Sequence, residues 1–204
     1  HTNATADAAL AVTLAGSSVT IASSYAGVQT FDVSSPLAPS LQGTYPAGYR
    51  VSDVAVNGSL AYIAAGERGL QIFSISNAAM PVALGSVLGI GNARSIGLSG
   101  GLAVVGDGIS GARVVSVTNP AAPYILGTFT STNLVFVRSA AVSGSRAAVT
   151  DGRHILLLDL SSPSLPTQLG EYLSDGYVFD LAMNANHVFA AAGGDGLRIL
   201  SVPA

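Results

Sequence analysis

The sequence contains no cysteine and no lysine, and charged residues occupy only 9% of its 204 positions. An average soluble domain has about 25% charged residues. The lack of cysteine excludes disulfides and thiolate metal sites. The eight basic residues are all arginines, scattered along the chain, and the net charge is −3. The sequence therefore predicts no nucleic-acid partner and no attraction to an anionic membrane surface.

Long apolar runs are also missing from the sequence. A membrane span needs about 20 apolar residues, so we expect no membrane insertion. The chain starts at His1 without an initiator methionine, which fits either an artificial start or a mature, processed protein. Low charge favours the second interpretation, because a cytosolic monomer relies on surface charge for solubility. We therefore expect an extracellular or cell-surface location.

Repetition is the strongest feature of the sequence. The octapeptide Gly69–Ser76, GLQIFSIS, has related copies that begin at nearly equal intervals, at Gly27, Gly111, His154 and Gly196. A fixed period within the range of about 20–50 residues is typical of repeat architectures, and one such unit is too small to bury a core alone. We expect one domain over residues 1–204, with units at 8–50, 51–93, 94–137, 138–178 and 179–204 and an N-terminal stub at 1–7.

Each unit has the same order of parts. In the second unit, strands are predicted at Val54–Val56, Leu60–Ala64, Leu70–Ile75 and Ala83–Val87, separated by tight turns and by a loop bracketed by proline or asparagine. Gly-containing turns supply the positive φ of a hairpin, and proline ends a strand. Four short antiparallel strands in every unit, repeated at this constant period, predict an all-β, five-bladed β-propeller.

The third strand of each unit, called the signature strand here, carries apolar residues in both parities. It is therefore expected to lie between two neighbouring sheets. The matched positions Ile72, Val114, Leu157 and Ile199 should be buried, with Thr30 as the polar exception. The fourth strand carries a recurring glycine, which predicts a bulge or a tight bend, at Gly43, Gly85, Gly127 and Gly170.

The second unit also resembles a known family. The segments Asp53–Gly58, Ala61–Ala64 and Gly69–Ser76, followed by Pro81 and Gly85, are similar to the LVIVD repeat. The resemblance covers nearly the whole chain, although the aspartate typical of the signature strand is kept only at two of the five copies, Asp32 and Asp159. It implies a propeller fold and a secreted or cell-surface location. It implies no settled activity, so no catalytic residue follows from it.

The sequence offers no strong catalytic or metal-binding motif. The histidines His1, His154 and His187 belong to different parts of the chain and lack zinc-ligand spacing. No Gly-x-Ser-x-Gly elbow stands between a strand and a helix, so we expect no enzymatic activity and no cofactor. Three loop acids could form a carboxylate ring that binds cations or sugar hydroxyls, or they could serve as Asp-Gly turn residues. They are Asp107, Asp151 and Asp195.

One candidate ligand site lies just before the first strands, which should line the central channel of a propeller. Charged residues there could ring one channel mouth and bind a small anion or a glycan, or they could form inter-blade salt bridges and strand caps. These are Arg50, Arg94, Arg138, Asp53 and Asp180. Tyrosines on the connections between blades could stack on sugars or fill wedges between sheets; they include Tyr45, Tyr49, Tyr172 and Tyr177.

The fifth unit stops after its signature strand, so we expect its open edge to be filled either by the N-terminal segment or by another subunit. Two functions fit the sequence. The first is a non-catalytic structural or interaction module that self-associates into a polymer or binds other surface proteins. The alternative is a carbohydrate- or small-ligand-binding propeller, or an enzyme derived from one, which uses the channel-mouth residues.

Overall fold

The computed structural model describes Thr5 and residues 7–203. Within these residues the chain forms nineteen β-strands and one short 3-10 turn at Gly193–Asp195. The strands make four sheets of four strands and one sheet of three, and consecutive strands of each sheet pair antiparallel. No helix in this part of the chain is long and apolar enough to cross a membrane. The protein is an all-β, five-bladed β-propeller.

The blades follow one another along the chain. Blade 1 contains β1 (Ala11–Ala15), β2 (Ser18–Ala22), β3 (Val28–Asp32) and β4 (Ser40–Tyr45). Blade 2 contains β5 (Asp53–Asn57), β6 (Leu60–Ala64), β7 (Leu70–Ser74) and β8 (Val82–Val87). Blade 3 contains β9 (Ser95–Ser99), β10 (Leu102–Gly106), β11 (Ala112–Ser116) and β12 (Tyr124–Phe129). Blade 4 contains β13 (Ser139–Ser143), β14 (Arg146–Thr150), β15 (His154–Asp159) and β16 (Thr167–Leu173), and blade 5 contains β17 (Asp180–Met183), β18 (His187–Ala191) and β19 (Leu197–Ser201).

The first hairpin of each blade has the turn chemistry that the sequence predicts. Gly58 has φ +58° between β5 and β6, a conformation that glycine adopts without steric cost. In blade 5, which lacks this glycine, the Asn184 side chain closes the turn: its Oδ1 accepts hydrogen bonds from the backbone N–H groups of Asn186 and His187. Both solutions allow a short connection between adjacent strands.

Four apolar cores lie between successive blades, because the signature strands of blades 2, 3 and 4 contribute side chains to both of their neighbours. Ile72 packs toward blade 3, in a core that includes Ile96. Phe73, the next residue, packs toward blade 1, where its ring centroid lies 4.1 Å from that of Tyr45. Both residues are at most 2% exposed. This confirms the predicted two-sided packing and shows that Tyr45 fills a wedge between sheets.

The recurring glycine of the fourth strand has a more specific role than the predicted bend. A bulge does occur beside it, between Val114 and Val115 of the partner strand in blade 3. In addition, a Cβ at Gly127 would collide with the backbone of Pro163 and Ser164, in the proline loop of the next blade. Glycine is needed because that loop packs directly on the strand. Among the described residues, nothing lies within 4 Å of the corresponding position at Gly170.

Blade 5 differs from the others, and here one prediction is wrong. Its signature strand β19 pairs with β18 and with no other strand among the described residues. Ile199 is 56% exposed, whereas Ile72 and Val114 are fully buried and Leu157 is half-buried. The matched side chains of blades 2 and 3 are covered by a following blade, and Ile199 has no such cover in the described part of the chain.

The first blade is also uncovered on one face, because no described blade precedes it. Val12 and Leu14 of β1 are 67% and 66% exposed, although their equivalents in blades 2–5 pack on a preceding blade; Val54, which matches Val12, is 4% exposed. The sheets of blades 1 and 5 therefore do not form a fifth apolar core in the part of the chain described.

Most of the predicted edge-filling segment, residues 1–4 and 6, lies outside the described residues. Asp7, which is described, contacts blade 1 of its own chain: its carboxylate accepts a hydrogen bond of 3.0 Å from the Tyr25 N–H.

Candidate functional site

All five blades contribute to one site at the mouth of the central channel. The residue directly before the first strand of each blade lines a single cavity of about 320 Å³. We call these five equivalent residues the mouth layer: Leu10, Ser52, Arg94, Arg138 and Phe179. The predicted residues Arg50 and Tyr177 line the same cavity. The mouth layer is two-sided, because arginines come from the adjacent blades 3 and 4 while apolar side chains come from blades 1 and 5.

A second ring lies one residue further along each strand. It consists of Ala11, Asp53, Ser95, Ser139 and Asp180, all of which line a cavity of about 440 Å³ that also touches Arg94 and Arg138. The predicted residues Asp53 and Asp180 therefore lie in one ring with Ser95 and Ser139, and they line the channel. We call this ring the second layer.

The two carboxylates of the second layer bind across blade boundaries. Asp53 accepts hydrogen bonds of 2.8 Å from the N–H of Ile96 in blade 3 and from the N–H of Val54. Burial raises the pKa of Asp53 to about 7, and the charge of Asp180 adds to this rise, while the two hydrogen bonds oppose it. Asp180 accepts a hydrogen bond of 2.8 Å from the Ser139 hydroxyl in blade 4. Both acids join neighbouring blades by hydrogen bonds, and neither forms a salt bridge with another described residue.

The arginines at the mouth are held by aromatic rings. The guanidinium carbons of Arg94 and Arg138 lie 5.5 and 5.1 Å from the ring centroid of Phe136, and Arg138 is also 5.6 Å from that of Tyr177. Arg94 Nε donates a hydrogen bond of 2.9 Å to Asn92 Oδ1. Such cation–π contacts fix a guanidinium without neutralising it.

No acidic group within ion-pair distance balances these cations in the described chain. The four ion pairs found there involve other cations and none of Arg50, Arg94 and Arg138. Burial lowers the pKa of Arg94, and the neighbouring charges of Arg50 and Arg138 lower it further. Three like charges thus meet at the edge of one cavity.

The predicted tyrosines divide between two positions. Tyr177 lines the mouth cavity, where its ring centroid lies 4.9 Å from that of Phe179. Tyr49 lines an adjoining cavity with Arg50 and Arg94, and burial, together with nearby Tyr45, raises its pKa to about 12. The remaining two tyrosines, Tyr45 and Tyr172, pack against the inter-blade cores.

The loop acids do not form a carboxylate ring. Asp107 and Asp151 occupy equivalent positions after β10 and β14, but Asp195 lies three residues later in its loop than the equivalent position, Ala192. Asp107 is fully buried and accepts hydrogen bonds from Asn92 N and Arg113 Nε. Asp151 accepts hydrogen bonds from the N–H groups of its own loop. The described residues contain no cluster of three metal-ligating side chains.

Neither of the two described histidines lines the mouth cavity. His154 Nδ1 lies 3.2 Å from Asp151 Oδ2 and its Nε2 lies 3.8 Å from Glu171, which is a local contact within blade 4. His187 lies beside Phe189, with ring centroids 6.1 Å apart. His1 is outside the described residues.

Sequence reasoning missed three members of the mouth layer and the aromatic side chain of Phe136, which contacts the arginines. Leu10, Ser52 and Phe179 occupy the same register as Arg94, one residue before the first strand. An alignment of all five units at the residue before the first strand would have identified these three residues. Phe136 lies three residues before the first strand of its blade, in the same register as Arg50 and Tyr177, so an alignment of the units at that position would have identified it as well.

A separate groove lies beside the open edge of blade 5. Its volume is about 370 Å³, and it extends from the fourth strand of blade 4 to β19. It is where the proline loop and fourth strand of a complete blade 5 would lie, since Gly170 at its floor is uncovered. The apolar side chains in its wall include Ile155, Leu157, Tyr172, Val188, Ile199 and Leu200.

Solved structures with this fold include two designed proteins. The chain matches the computationally designed Ika8 protein with a TM-score of 0.73 and 11% identity, over 94% of this chain and 57% of that one. It matches the computationally designed Ika4 protein with a TM-score of 0.62 and 13% identity, over 76% of this chain and 92% of that one. The chain therefore spans little more than half the length of Ika8. At such identities the likeness concerns the fold alone.

Comparison with curated proteins found no match. The family model of the LVIVD repeat matches residues 48–89, 90–131 and 137–174, which together are more than half of the chain. These segments span the second, third and fourth blades. The chain belongs to the LVIVD repeat family.

Proposed function

We propose that this protein is a non-catalytic structural and interaction module of the extracellular space or cell surface, and that it assembles with further copies of itself. The observation that carries the proposal is the edge of β19, which pairs with β18 alone among the described residues, together with the apolar groove beside it. Low charge and the resemblance to a family common in secreted proteins support the location. We propose that a strand from a second copy completes the blade.

The open edge has the features of a strand-addition site. An unpaired edge exposes backbone N–H and C=O groups, which natural sheets usually pair or protect. Two apolar side chains on β19, Leu197 and Ile199, are 64% and 56% exposed. An added strand gains backbone hydrogen bonds, worth about 0.5–1.5 kcal/mol each, and gives these side chains cross-strand neighbours, worth roughly 0.2–1 kcal/mol per pair. Gains of this size favour addition of a strand at this edge.

The donor in this proposal is the N-terminal segment, residues 1–8, of the neighbouring copy. The described part of this segment does not pair with β19 of its own chain; Asp7 instead binds Tyr25 in blade 1. Donation from one copy to the next is a head-to-tail contact, and such contacts continue into filaments unless the geometry closes a ring.

The proposal is tested by the assembly state of the 204-residue protein, measured by light scattering and by electron microscopy. Wild type should form filaments or closed oligomers. Gly170→Trp should fill the groove and block assembly without loss of thermal stability, because nothing described lies within 4 Å of a Cβ at this position. The matched control is Thr44→Trp, at an exposed site on the fourth strand of blade 1, which should assemble normally.

A second variant tests the donor. Deletion of residues 1–8 should give a folded protein that no longer assembles, and an added peptide of residues 1–8 should bind it. A deletion variant that is instead an unstable monomer would mean that the segment fills the edge within its own chain. A wild type that stays monomeric at every concentration, or a Gly170→Trp variant that assembles normally, would overturn self-association through this edge.

The non-catalytic part of the proposal has its own test. A panel of glycosidase, esterase and peptidase substrates should give no turnover with the purified protein. Turnover that is lost on a single Asp or Ser substitution would refute it.

A further inference from the structure

The mouth cavity combines three features that together define a ligand. One wall carries the unpaired guanidinium groups of Arg94 and Arg138, with Arg50 beside them. The opposite wall is apolar, since Phe179 is 66% exposed and Leu10 is 40% exposed. The floor is the second layer, with hydrogen-bond acceptors on Asp53 and Asp180.

The cationic wall favours a planar anion. Guanidinium groups present paired N–H donors that match a carboxylate, and they hold a charge that no described protein group within ion-pair distance neutralises. Phe136 holds both guanidiniums by contacts to its ring, and Asn92 orients Arg94. The donors are therefore positioned in advance, so binding loses little side-chain entropy.

The acidic floor limits where the anion lies. A second negative charge beside Asp180 would be repelled, so the anionic group belongs at the mouth layer and neutral hydroxyls belong below it. Asp180 is already bound by the Ser139 hydroxyl, and its other lone pairs accept hydroxyl donors.

We propose that the channel mouth binds an acidic sugar: a monosaccharide-sized ring that carries a carboxylate, either free or at the end of a polysaccharide. The carboxylate lies between Arg94 and Arg138, one face of the ring contacts Phe179, and hydroxyl groups donate to Asp53 and Asp180. A cavity of about 320 Å³ lies at the lower end of the range for small-molecule sites, which fits one sugar ring. This site is separate from the β19 edge and does not depend on assembly.

Isothermal titration of the intact protein with D-glucuronate tests the site, with D-glucose and inorganic sulfate as comparison ligands. Glucuronate should bind, and glucose, which lacks the carboxylate, should bind at least about tenfold more weakly. Arg94→Gln and Arg138→Gln should each weaken glucuronate binding by about 10- to 100-fold, because each removes charged hydrogen bonds. The control Arg153→Gln alters an exposed arginine outside the cavity and should leave the affinity unchanged.

Two further arms separate the sugar from simpler explanations. Phe179→Ala should weaken binding of glucuronate but not of sulfate, since sulfate has no ring to contact the aromatic wall. A trigalacturonate titration distinguishes a polysaccharide end from a free sugar: tighter binding than glucuronate assigns the polymer end, and weaker binding assigns the free acid. Sulfate binding as tight as that of glucuronate, no glucuronate binding at millimolar concentration, or unchanged affinity in folded Arg94→Gln would overturn the proposal.

Discussion

Replacement of Ile72 by alanine tests how the blades are held together. Ile72 is fully buried between blades 2 and 3, opposite Gly85 on β8 and Tyr62 on β6. Loss of a buried Ile side chain removes its transfer free energy and leaves a cavity, which together cost about 2–5 kcal/mol. For a protein of this size, the midpoint of thermal unfolding should fall by about 4–20 °C.

The repeat supplies a matched control at the same register. Ile199 occupies the position of Ile72 in blade 5 and is 56% exposed. Ile199→Ala in the monomeric deletion variant that lacks residues 1–8 should therefore cost less than about 1 kcal/mol, since a largely exposed side chain loses little burial. Urea unfolding of both variants, made in that deletion background, measures the two values. Equal costs at the two positions, or a cost well under about 1 kcal/mol for Ile72→Ala, would refute the inter-blade packing described here.

Two further predictions concern the fourth strand and the channel. Gly127→Ala should destabilise the protein by about 1–3 kcal/mol, because the added Cβ would meet the backbone at Pro163. The control Gly170→Ala should change the unfolding free energy by less than about 0.5 kcal/mol. Similar losses of stability at both sites in thermal unfolding would contradict the contact between Gly127 and the proline loop. Because burial raises the pKa of Asp53 to about 7, the stability it contributes is present below about pH 4 and is lost as pH rises to 7. Asp53→Asn should thus gain stability relative to wild type between about pH 4 and 7 in urea titrations, and a difference that does not vary with pH would contradict the raised pKa.

Much of the fold could be predicted because its determinants are local and repeated. The constant repeat period, the turn glycines and the two-sided signature strand are written directly in the sequence. Each constrains a few neighbouring residues, so copies of the pattern reinforce one another. The predicted residues Asp53 and Asp180 likewise line the channel, because both stand at the first position of the first strand in their blades.

The ends of the ring and the composition of the site could not be read in this way. Ile199 has the same local sequence context as Ile72, yet its exposure depends on whether another blade follows. The glycine at Gly170 repeats the pattern of Gly127, but the loop that makes glycine necessary there is absent among the described residues of blade 5. Burial is a property of the neighbour in space and not of the residue itself.

The sequence by itself determined the propeller, its five units, its antiparallel strands and the family to which the chain belongs, because these depend on periodic patterns within a single repeat unit. Only the tertiary structure decided that Arg94 and Arg138 share one cavity with Leu10 and Phe179. Leu10 belongs to the first unit and Phe179 to the last, and the circular arrangement of the blades brings them together at the channel mouth. The tertiary structure also decided that the arginines lack acidic partners within ion-pair distance among the described residues, since a charge is balanced or unbalanced by distance in space, which spacing along a chain does not fix.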